Sequence, residues 1–490
     1  MSKLRPQGIP MRWRASRNLR TSLSGEVSTG PTVAIDVSIS RYYGRVVALS
    51  RTRVPYMTPC ATNIVDINFW QKLVPRVAME DESLWYALIA TATLKQHPSP
   101  DPSRKSACSD QDLHLGYRRQ AMEWYGRSLR AAAAKPITSL SVLGTFFFAG
   151  FELSSGRPDR GIRLLYQSFR LHERDPKLSS EIQDALSPMM LRSLLPLSVF
   201  GCRLTPEQRQ RAKRPRSPSQ PQTDEASVIN LMEDLHDTIY DVQVFCYAAS
   251  TAPSITTEHS REQQTLTTRM QAWRDDPALK RILHSTGDPR RYLAQLLVLY
   301  HVYFVKLRAA LDASNLALLD DFEPNFEIAV CEADRAMAFR TARDSVFACD
   351  LTLVPCLYYT AWACRRPRIR RRAIELLRHQ APREENLWTA DACLHAIESV
   401  VVFEERGRGR TTDDGGYAPT VSDEEDRLLP PVEHRLPMSR LGAHARLPPG
   451  IAVGLGCSEG VSNLAWERAA RADAAAMVHR PYELPNLGIV

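Results

Sequence analysis

The sequence lacks long apolar runs, paired cysteines and an apolar secretory core near its N-terminus. No stretch free of Asp, Glu, Lys and Arg exceeds 16 residues, the length of 136–151 and 242–257, whereas a membrane-spanning helix needs ~20 apolar residues. A membrane protein is therefore not expected. The ten cysteines include no C-x-x-C pair, which argues against zinc ribbons, zinc fingers and thioredoxin-like dithiols. We expect a reducing compartment and cysteines that serve as small core residues.

Common catalytic motifs are also missing. There is no phosphate-binding P-loop, no G-x-S-x-G and no H-E-x-x-H. In the glycine-rich stretch 454–460 the third glycine comes one position too late for a dinucleotide fingerprint. His236 beside Asp237, and His395 near Glu398, resemble acid–base pairs, but such pairs need convergent partners in a pocket. We therefore predict no enzymatic activity, no catalytic residues and no bound cofactor; an enzyme whose site is assembled from distant segments is a third hypothesis.

The positive charge is concentrated near the N-terminus. Residues 1–60 contain ten Lys and Arg against two acids, and so account for the whole net charge of +8. Such an arm attracts polyanions by displacing their counterions, which makes Arg12, Arg14, Arg17 and Arg20 candidates for weak, non-specific DNA contact. A solvated tail is the alternative. The acid-free, Arg-rich residues 1–23 are also typical of a mitochondrial presequence, although Pro6 and Pro10 interrupt the amphipathic pattern.

Helical periodicity dominates from Asp66 onward, and strand patterns are nearly absent. Apolar residues follow helical spacing at Leu113, Tyr117, Ala121 and Trp124, after a Pro/Ser/Asp-rich loop predicted at 97–112. A buried helix is predicted over 140–153, and a further helix carries Ile162, Leu165, Phe169 and His172 on one face. The pattern predicts an all-α protein: a multi-helix array of packed helical hairpins, with a disordered basic N-terminus and an irregular C-terminal extension.

Composition divides the chain into three parts. Residues 1–62 form a basic, largely disordered arm, residues 63–406 form the helical body, and residues 407–490 form a linker and the irregular C-terminal extension. A flexible Pro/Ser-rich insert is predicted at 205–225. Its basic residues resemble a nuclear-localisation signal, because prolines keep them out of a helix interior and hence exposed to an import receptor: Arg209, Arg211, Lys213, Arg214 and Arg216.

A second basic run, 365–372, has a different pattern. Pro367 occupies the first position of a helix, and Ile369, Ala373 and Leu376 recur at helical spacing. This pattern predicts an amphipathic helix whose arginines lie on its outer face, above a helix pair, and pair with Glu375 or Glu384.

The same region resembles a known family. The segment Ala361–Leu377, followed by 383–388, Ile397-Glu398 and Glu404-Glu405, is similar to the C-terminal signature of the regulatory domain of fungal binuclear zinc-cluster transcription factors. Earlier segments resemble the same domain in the same order, so that the similarity covers roughly residues 64–406. The resemblance implies an all-helical regulatory module in the nucleus, without catalytic residues.

One departure from the family is plain. Its members carry an N-terminal DNA-binding domain in which six cysteines hold two zinc ions, but residues 1–59 contain no cysteine. Zinc is therefore expected only if a missing upstream segment supplies the cluster. Otherwise the chain would act through transcriptional coregulators or a DNA-binding partner, with a homodimer as one option, and would touch DNA directly only weakly. A non-catalytic helical scaffold in the cytosol or mitochondria is the alternative hypothesis.

Overall fold

The computed structural model describes residues 69–96, 108–136, 139–155, 157–174, 223–338, 347–348, 353–380, 384–385, 388–405 and 429–436, with isolated positions at 426 and between 182 and 195. All of them belong to one compact unit, Thr52–Val490. The predictions for the N-terminal arm, for the basic insert before residue 223 and for residues beyond 436 lie outside these ranges.

The described part of the chain is almost entirely helical, which confirms the all-α prediction. A π-helical turn at Phe69–Leu73 leads into thirteen α-helices: α1 Val74–Glu80, α2 Glu82–Gln96, α3 Cys108–Ala133, α4 Ser139–Ser154, α5 Pro158–Arg174, α6 Asp224–Thr251, α7 Thr257–Arg274, α8 Pro277–Leu283, α9 Asp288–Ala309, α10 Glu323–Ala338, α11 Val354–Ala363, α12 Pro367–Gln380 and α13 Ala390–Glu404. Short 3-10 helices cover Ala310–Asp312, Leu316–Phe322 and Val432–His434.

Local sequence explains where several helices begin. The side chain of Thr223 accepts a hydrogen bond from the backbone N–H of Ala226, which caps α6. Gly287 precedes α9 with φ 83°, a left-handed conformation that favours glycine. Helix α12 starts at Pro367, as predicted. Helix α3 differs from the prediction, because it begins at Cys108, inside the expected loop. No proline follows Pro102 in that loop, so nothing there stops the backbone from turning helical.

Helices α2 to α5 form two hairpins that bury an aromatic core. The rings of Tyr125 and Phe151 stack with their centroids 4.2 Å apart. The hydroxyl of Ser168 donates to the carbonyl of Val142 at 3.0 Å, which joins α5 to α4. The predicted apolar faces are confirmed by the buried Ala121 of α3 and by the buried Leu165 and Phe169 of α5.

A second, continuous core is shared by helices α6 to α13. Helix α9, with the following turn (Asp288–Asp312), is long and apolar enough to cross a membrane by length and composition alone. However, 67% of its apolar window is buried inside the protein, which is the environment of a core helix. The indole N–H of Trp273 donates to the carbonyl of Leu231 at 2.7 Å and so ties α7 to α6.

The structure adds a small sheet that the sequence patterns did not indicate. Three two-residue strands, β1 (Phe347–Ala348), β2 (Glu384–Glu385) and β3 (Trp388–Thr389), pair in that order, with β1 and β2 parallel and β2 and β3 antiparallel. The sheet places the buried carboxylate of Glu385 against the start of α11, where it accepts hydrogen bonds from the backbone N–H groups of Leu353 and Val354. A carboxylate at this end of a helix is favourable because the N-terminal N–H groups lack intrahelical partners.

Candidate functional site

None of the site residues predicted from sequence lies in the described ranges. This applies to the nuclear-localisation candidates Arg209, Arg211, Lys213, Arg214 and Arg216, and to the DNA-contact candidates Arg12, Arg14, Arg17 and Arg20. The basic run 365–372, in contrast, is fully described. It forms the most heavily charged buried feature of the described helices, and we build the candidate site from it.

Two arginines of this run are among the largest fully buried side chains. Arg365 is 1% exposed and Arg370 is 0% exposed. The guanidinium of Arg370 donates through Nε to the carbonyl of Cys364 at 2.9 Å and through Nη2 to that of Trp362 at 3.3 Å. Arg365 donates to the carbonyl of Ala363 at 2.7 Å. These bonds satisfy the unpaired carbonyls at the C-terminal end of α11, so that the arginines join α11 to α12.

Two consecutive glutamates at the end of α13 provide the counter-charges. Nη2 of Arg370 lies 2.6 Å from Oε2 of Glu404, and Nη2 of Arg365 lies 3.5 Å from Oε1 of the same carboxylate. Arg371 binds Glu405 through both Nη atoms, with Nη1 3.0 Å from Oε1. Such bidentate contacts between arginine and a carboxylate are among the strongest charge-assisted hydrogen bonds. We call these five residues the arginine–glutamate cluster.

The chain beyond α13 returns to close this cluster. The backbone N–H of Leu436 donates to Oε1 of Glu404 at 2.8 Å, and its carbonyl accepts from Nε1 of Trp362 at 2.9 Å. The guanidinium of Arg365 lies over the ring of Trp362, 5.0 Å from its centroid. Both backbone groups of Leu436 are thus bound, as a buried segment requires.

Two further contacts hold this C-terminal segment to the helices. Arg435, itself buried, forms an ion pair with Asp320 at 2.8 Å and donates to the carbonyl of Leu316 at 3.1 Å. Asp426 accepts a hydrogen bond from the backbone N–H of Arg368 at 2.6 Å, in the first turn of α12. Residues 426 and 429–436 therefore pack on the helical body through specific polar contacts.

Burial and neighbouring charges act in opposite directions on the pKa values of three residues of the cluster. Burial alone would raise the pKa of Glu404, but the charges of Arg370 and Arg365 outweigh it and hold that pKa below its ordinary value. Burial lowers the pKa of Arg365 to about 10, against the opposing effect of Glu404, and the positive charge of Arg370 contributes to the decrease. For Arg370 the two carboxylates outweigh burial and raise the pKa. Because Glu404 stays ionised, it is unsuited to act as a proton donor.

The outward orientation predicted for these arginines was therefore wrong in part. Arg368 is exposed, and Arg372 pairs with Glu375 at 2.6 Å as predicted. Arg365, Arg370 and Arg371 instead lie in the interior. Their burial is possible because Glu404 and Glu405 neutralise most of the charge and carbonyls at the end of α11 accept one N–H group of Arg365 and two of Arg370.

A signal for this arrangement was present in the sequence but was not used. Ile374 and Leu377 follow Arg370 at i+4 and i+7, and both are fully buried. Arg370 therefore begins a second buried stripe beside the predicted one. The two acids that follow the apolar run 400–403 at the end of α13 were the other indication, because buried paired carboxylates require positive partners.

The acids of the two histidine–acid pairs considered above are engaged by arginines. Asp237 is engaged by Arg269 Nη2 at 3.4 Å. His395 is exposed, and Glu398 pairs with Arg378. Within the described ranges, no group of three or more His, Cys, Asp or Glu side chains has the arrangement of a metal site. The chemistry that the arginine–glutamate cluster supports is the cross-linking of three helices and the C-terminal segment.

Comparisons with models of known protein families, with curated proteins and with solved structures gave no match to this chain.

Proposed function

We propose that this protein is a fungal nuclear regulator of transcription that acts through its helical body. The observation that carries the proposal is the arginine–glutamate cluster. The residues that resemble the zinc-cluster regulatory domain are separated in sequence, at 361–377 and 404–405, yet those two segments meet at Arg370 and Glu404. A resemblance gains weight when its distant segments contact each other in the folded chain, as these two do.

The cluster suits a protein that binds other macromolecules. It connects α11, α12 and α13 through Trp362, Arg370 and Glu404 and fixes the segment that ends at Leu436. Buried charge pairs of this kind add little net stability compared with apolar packing, but they favour one arrangement of the helices. A rigid helical surface presents its contact residues at lower entropic cost on binding.

Helix α3 offers a surface for such a partner. Leu115, Met122 and Leu129 recur every seven residues and are 61%, 38% and 42% exposed. Spacing of seven residues places them along one face of the helix. The arginines beside them carry positive charge: Arg118, Arg119 and Arg130. We name Leu115, Met122 and Leu129 the α3 stripe. Its chemistry fits an acidic amphipathic helix of a coregulator, which would lay its apolar face on the stripe and pair its carboxylates with the arginines.

The location of the protein in a fungal cell tests the nuclear part of the proposal. A fluorescent fusion of the full chain should accumulate in the nucleus, and changing Lys213, Arg214 and Arg216 to Ala should shift it toward the cytosol. The matched control changes three exposed basic residues of the helical body to Ala and should stay nuclear: Arg261, Lys280 and Arg308.

Two outcomes would favour the alternative functions. Cytosolic fluorescence of the unmodified chain would support the scaffold hypothesis. Mitochondrial fluorescence that disappears on deletion of residues 1–23 would support a mitochondrial scaffold and would contradict the nuclear proposal.

A further inference from the structure

Residues 430–436, which we name the docked turn, enter the helical body at a few anchor points. Pro430, Arg435 and Leu436 are buried, whereas Val432 between them is 52% exposed. Nε of Arg435 donates to the carbonyl of Pro430 at 3.0 Å, which closes the turn that the short 3-10 helix forms. The docked turn is therefore a compact unit whose last two residues reach into the protein.

The first of these two residues is recognised as an arginine. Nη2 of Arg435 lies 2.8 Å from Oδ2 of Asp320, and Nη1 donates to the carbonyl of Leu316 at 3.1 Å. With the bond to Pro430, all three nitrogen atoms of the guanidinium have an acceptor. A lysine has a single side-chain nitrogen and cannot reproduce this planar arrangement. The position therefore selects the guanidinium group as well as positive charge.

The second residue is recognised through its backbone and its apolar side chain. The N–H of Leu436 donates to Glu404 at 2.8 Å, and its carbonyl accepts from Nε1 of Trp362 at 2.9 Å. Its side chain belongs to the core that helices α6 to α13 share. Protein surfaces that bind peptides commonly combine backbone hydrogen bonds, which give affinity, with side-chain pockets, which give specificity.

The groups that receive Leu436 are held in place by contacts outside the docked turn. Glu404 is bound by Arg370 at 2.6 Å and lies 3.5 Å from Arg365. The ring of Trp362 packs against Arg365 and against Tyr359, whose ring centroid is 5.5 Å away. A site whose groups are already positioned binds a peptide at a lower entropic cost.

We propose that Asp320, Trp362 and Glu404 form a peptide-recognition site that the docked turn occupies as an intramolecular inhibitor. The partner that fits this site is a protein with a turn that presents an arginine followed by an apolar residue. Such a turn places its guanidinium against Asp320 and its apolar side chain in the core, and its backbone bonds to Trp362 and Glu404. Because the docked turn is tethered, its effective concentration is in the millimolar range, and a partner gains access when the turn is released.

Binding of a labelled peptide to the full chain tests this proposal. The probe is a synthetic peptide of residues 429–438, and the released chain carries Arg435→Ala and Leu436→Ala. By fluorescence anisotropy, the peptide should bind the released chain at least about tenfold more tightly than the unmodified chain, in which the tethered turn competes. Equal affinity for the two chains, or no binding to a released chain that circular dichroism shows to be folded, would overturn the proposal. Arg435→Lys alone, which keeps the charge, replaces the double variant if that variant does not fold.

A matched peptide tests whether the site recognises arginine. The same peptide with Arg435→Lys keeps the charge and should bind the released chain at least about tenfold more weakly, because bonds to Asp320 and Leu316 are lost. Asp320→Asn in the released chain should weaken binding of the native peptide to a similar extent. Equal affinity of the two peptides would show a non-specific attraction between charges and would contradict the proposal.

A competition experiment separates inhibition within one chain from exchange between copies. Unlabelled, unmodified chain should leave the labelled peptide bound to the released chain, because each unmodified chain retains its own turn. Displacement of the peptide would assign the site to a second copy of the chain and contradict the intramolecular role. These measurements do not involve localisation or transcription, so the inference does not rest on the proposed regulatory function.

Discussion

Arg370 and Glu404 form an ion pair in which Nη2 and Oε2 are 2.6 Å apart and neither side chain has any exposed surface. The pair connects α12 to the end of α13. Glu404 also accepts the backbone N–H of Leu436, so one carboxylate joins three parts of the chain. Because both partners are removed from water, loss of either one leaves the other buried charge without its nearest partner.

Replacing one partner of this pair should destabilise the protein severely. We expect Arg370→Met to lower the free energy of unfolding by about 3–5 kcal/mol, because Glu404 would remain buried and charged. Urea unfolding of the full chain followed by circular dichroism measures this change. The control is Arg372→Met on the same helix. Arg372 forms ion pairs with Asp334 and Glu375, and all three side chains are substantially exposed to solvent. Replacing Arg372 should therefore lower the free energy of unfolding by less than about 1 kcal/mol. Equal losses would contradict the burial argument.

The buried His301 of α9 should make the free energy of unfolding depend on pH. His301 is 2% exposed, and burial, together with the charge of Arg274, lowers its pKa from 6.5 to about 4. The unfolded chain therefore binds a proton that the folded protein excludes. Between pH 6.5 and about 4, this residue should reduce the free energy of unfolding by roughly 1.4 kcal/mol per pH unit as the pH falls.

Comparison of two variants isolates that effect. His301→Gln retains a polar side chain near Asn325, which contacts His301 Nδ1 at 3.1 Å, and should remove most of the slope. His395→Gln changes an exposed histidine and should leave the slope unchanged. An unaltered slope in His301→Gln would show that other groups cause it.

The close approach of α4 and α5 should make Gly161 sensitive to substitution. A Cβ atom at this position would lie 2.5 Å from Leu153 Cγ and 3.0 Å from its backbone nitrogen. We expect Gly161→Ala to destabilise the protein by about 1–3 kcal/mol through overpacking. Gly116, on exposed α3, has no atom within 4 Å of the corresponding point. Gly116→Ala should therefore stabilise the protein by up to about 1 kcal/mol. Thermal unfolding compares the two variants.

The α3 stripe should be required for regulation and not for folding. Changing Leu115, Met122 and Leu129 together to Glu repels an acidic partner helix. In a reporter assay with the chain fused to an unrelated DNA-binding domain, this change should abolish the effect of the chain on transcription. The control changes three other exposed apolar residues, Ile255, Leu283 and Ile328, to Glu. Both triple variants should keep the unfolding midpoint within a few degrees of the unmodified chain, because exposed positions contribute little to stability. Equal reporter activity in the two variants would exclude the stripe as the contact surface.

The sequence indicated the helices better than the charged interior. Apolar spacing in α5 and α12 predicted the buried Leu165, Phe169, Ala373 and Leu376, because helical period and burial follow the same rule. The spacing of Arg370, Ile374 and Leu377 indicated a buried position, but the partner Glu404 is distant in sequence, and periodicity contains no information on long-range pairing. The two-residue strands were missed for a related reason: they are set by pairing between distant segments, here Phe347 with Glu384.

Regulation of transcription by the helical body is the central claim. A reporter-gene assay in which the chain is recruited to a promoter tests it most directly. The full chain is fused to an unrelated DNA-binding domain in a fungal host, and transcription from a promoter with the matching site is measured. The proposal predicts that the fusion raises or lowers reporter transcription several-fold relative to the DNA-binding domain alone. Unchanged transcription, with the fusion shown to be intact, nuclear and bound at the promoter, would contradict it.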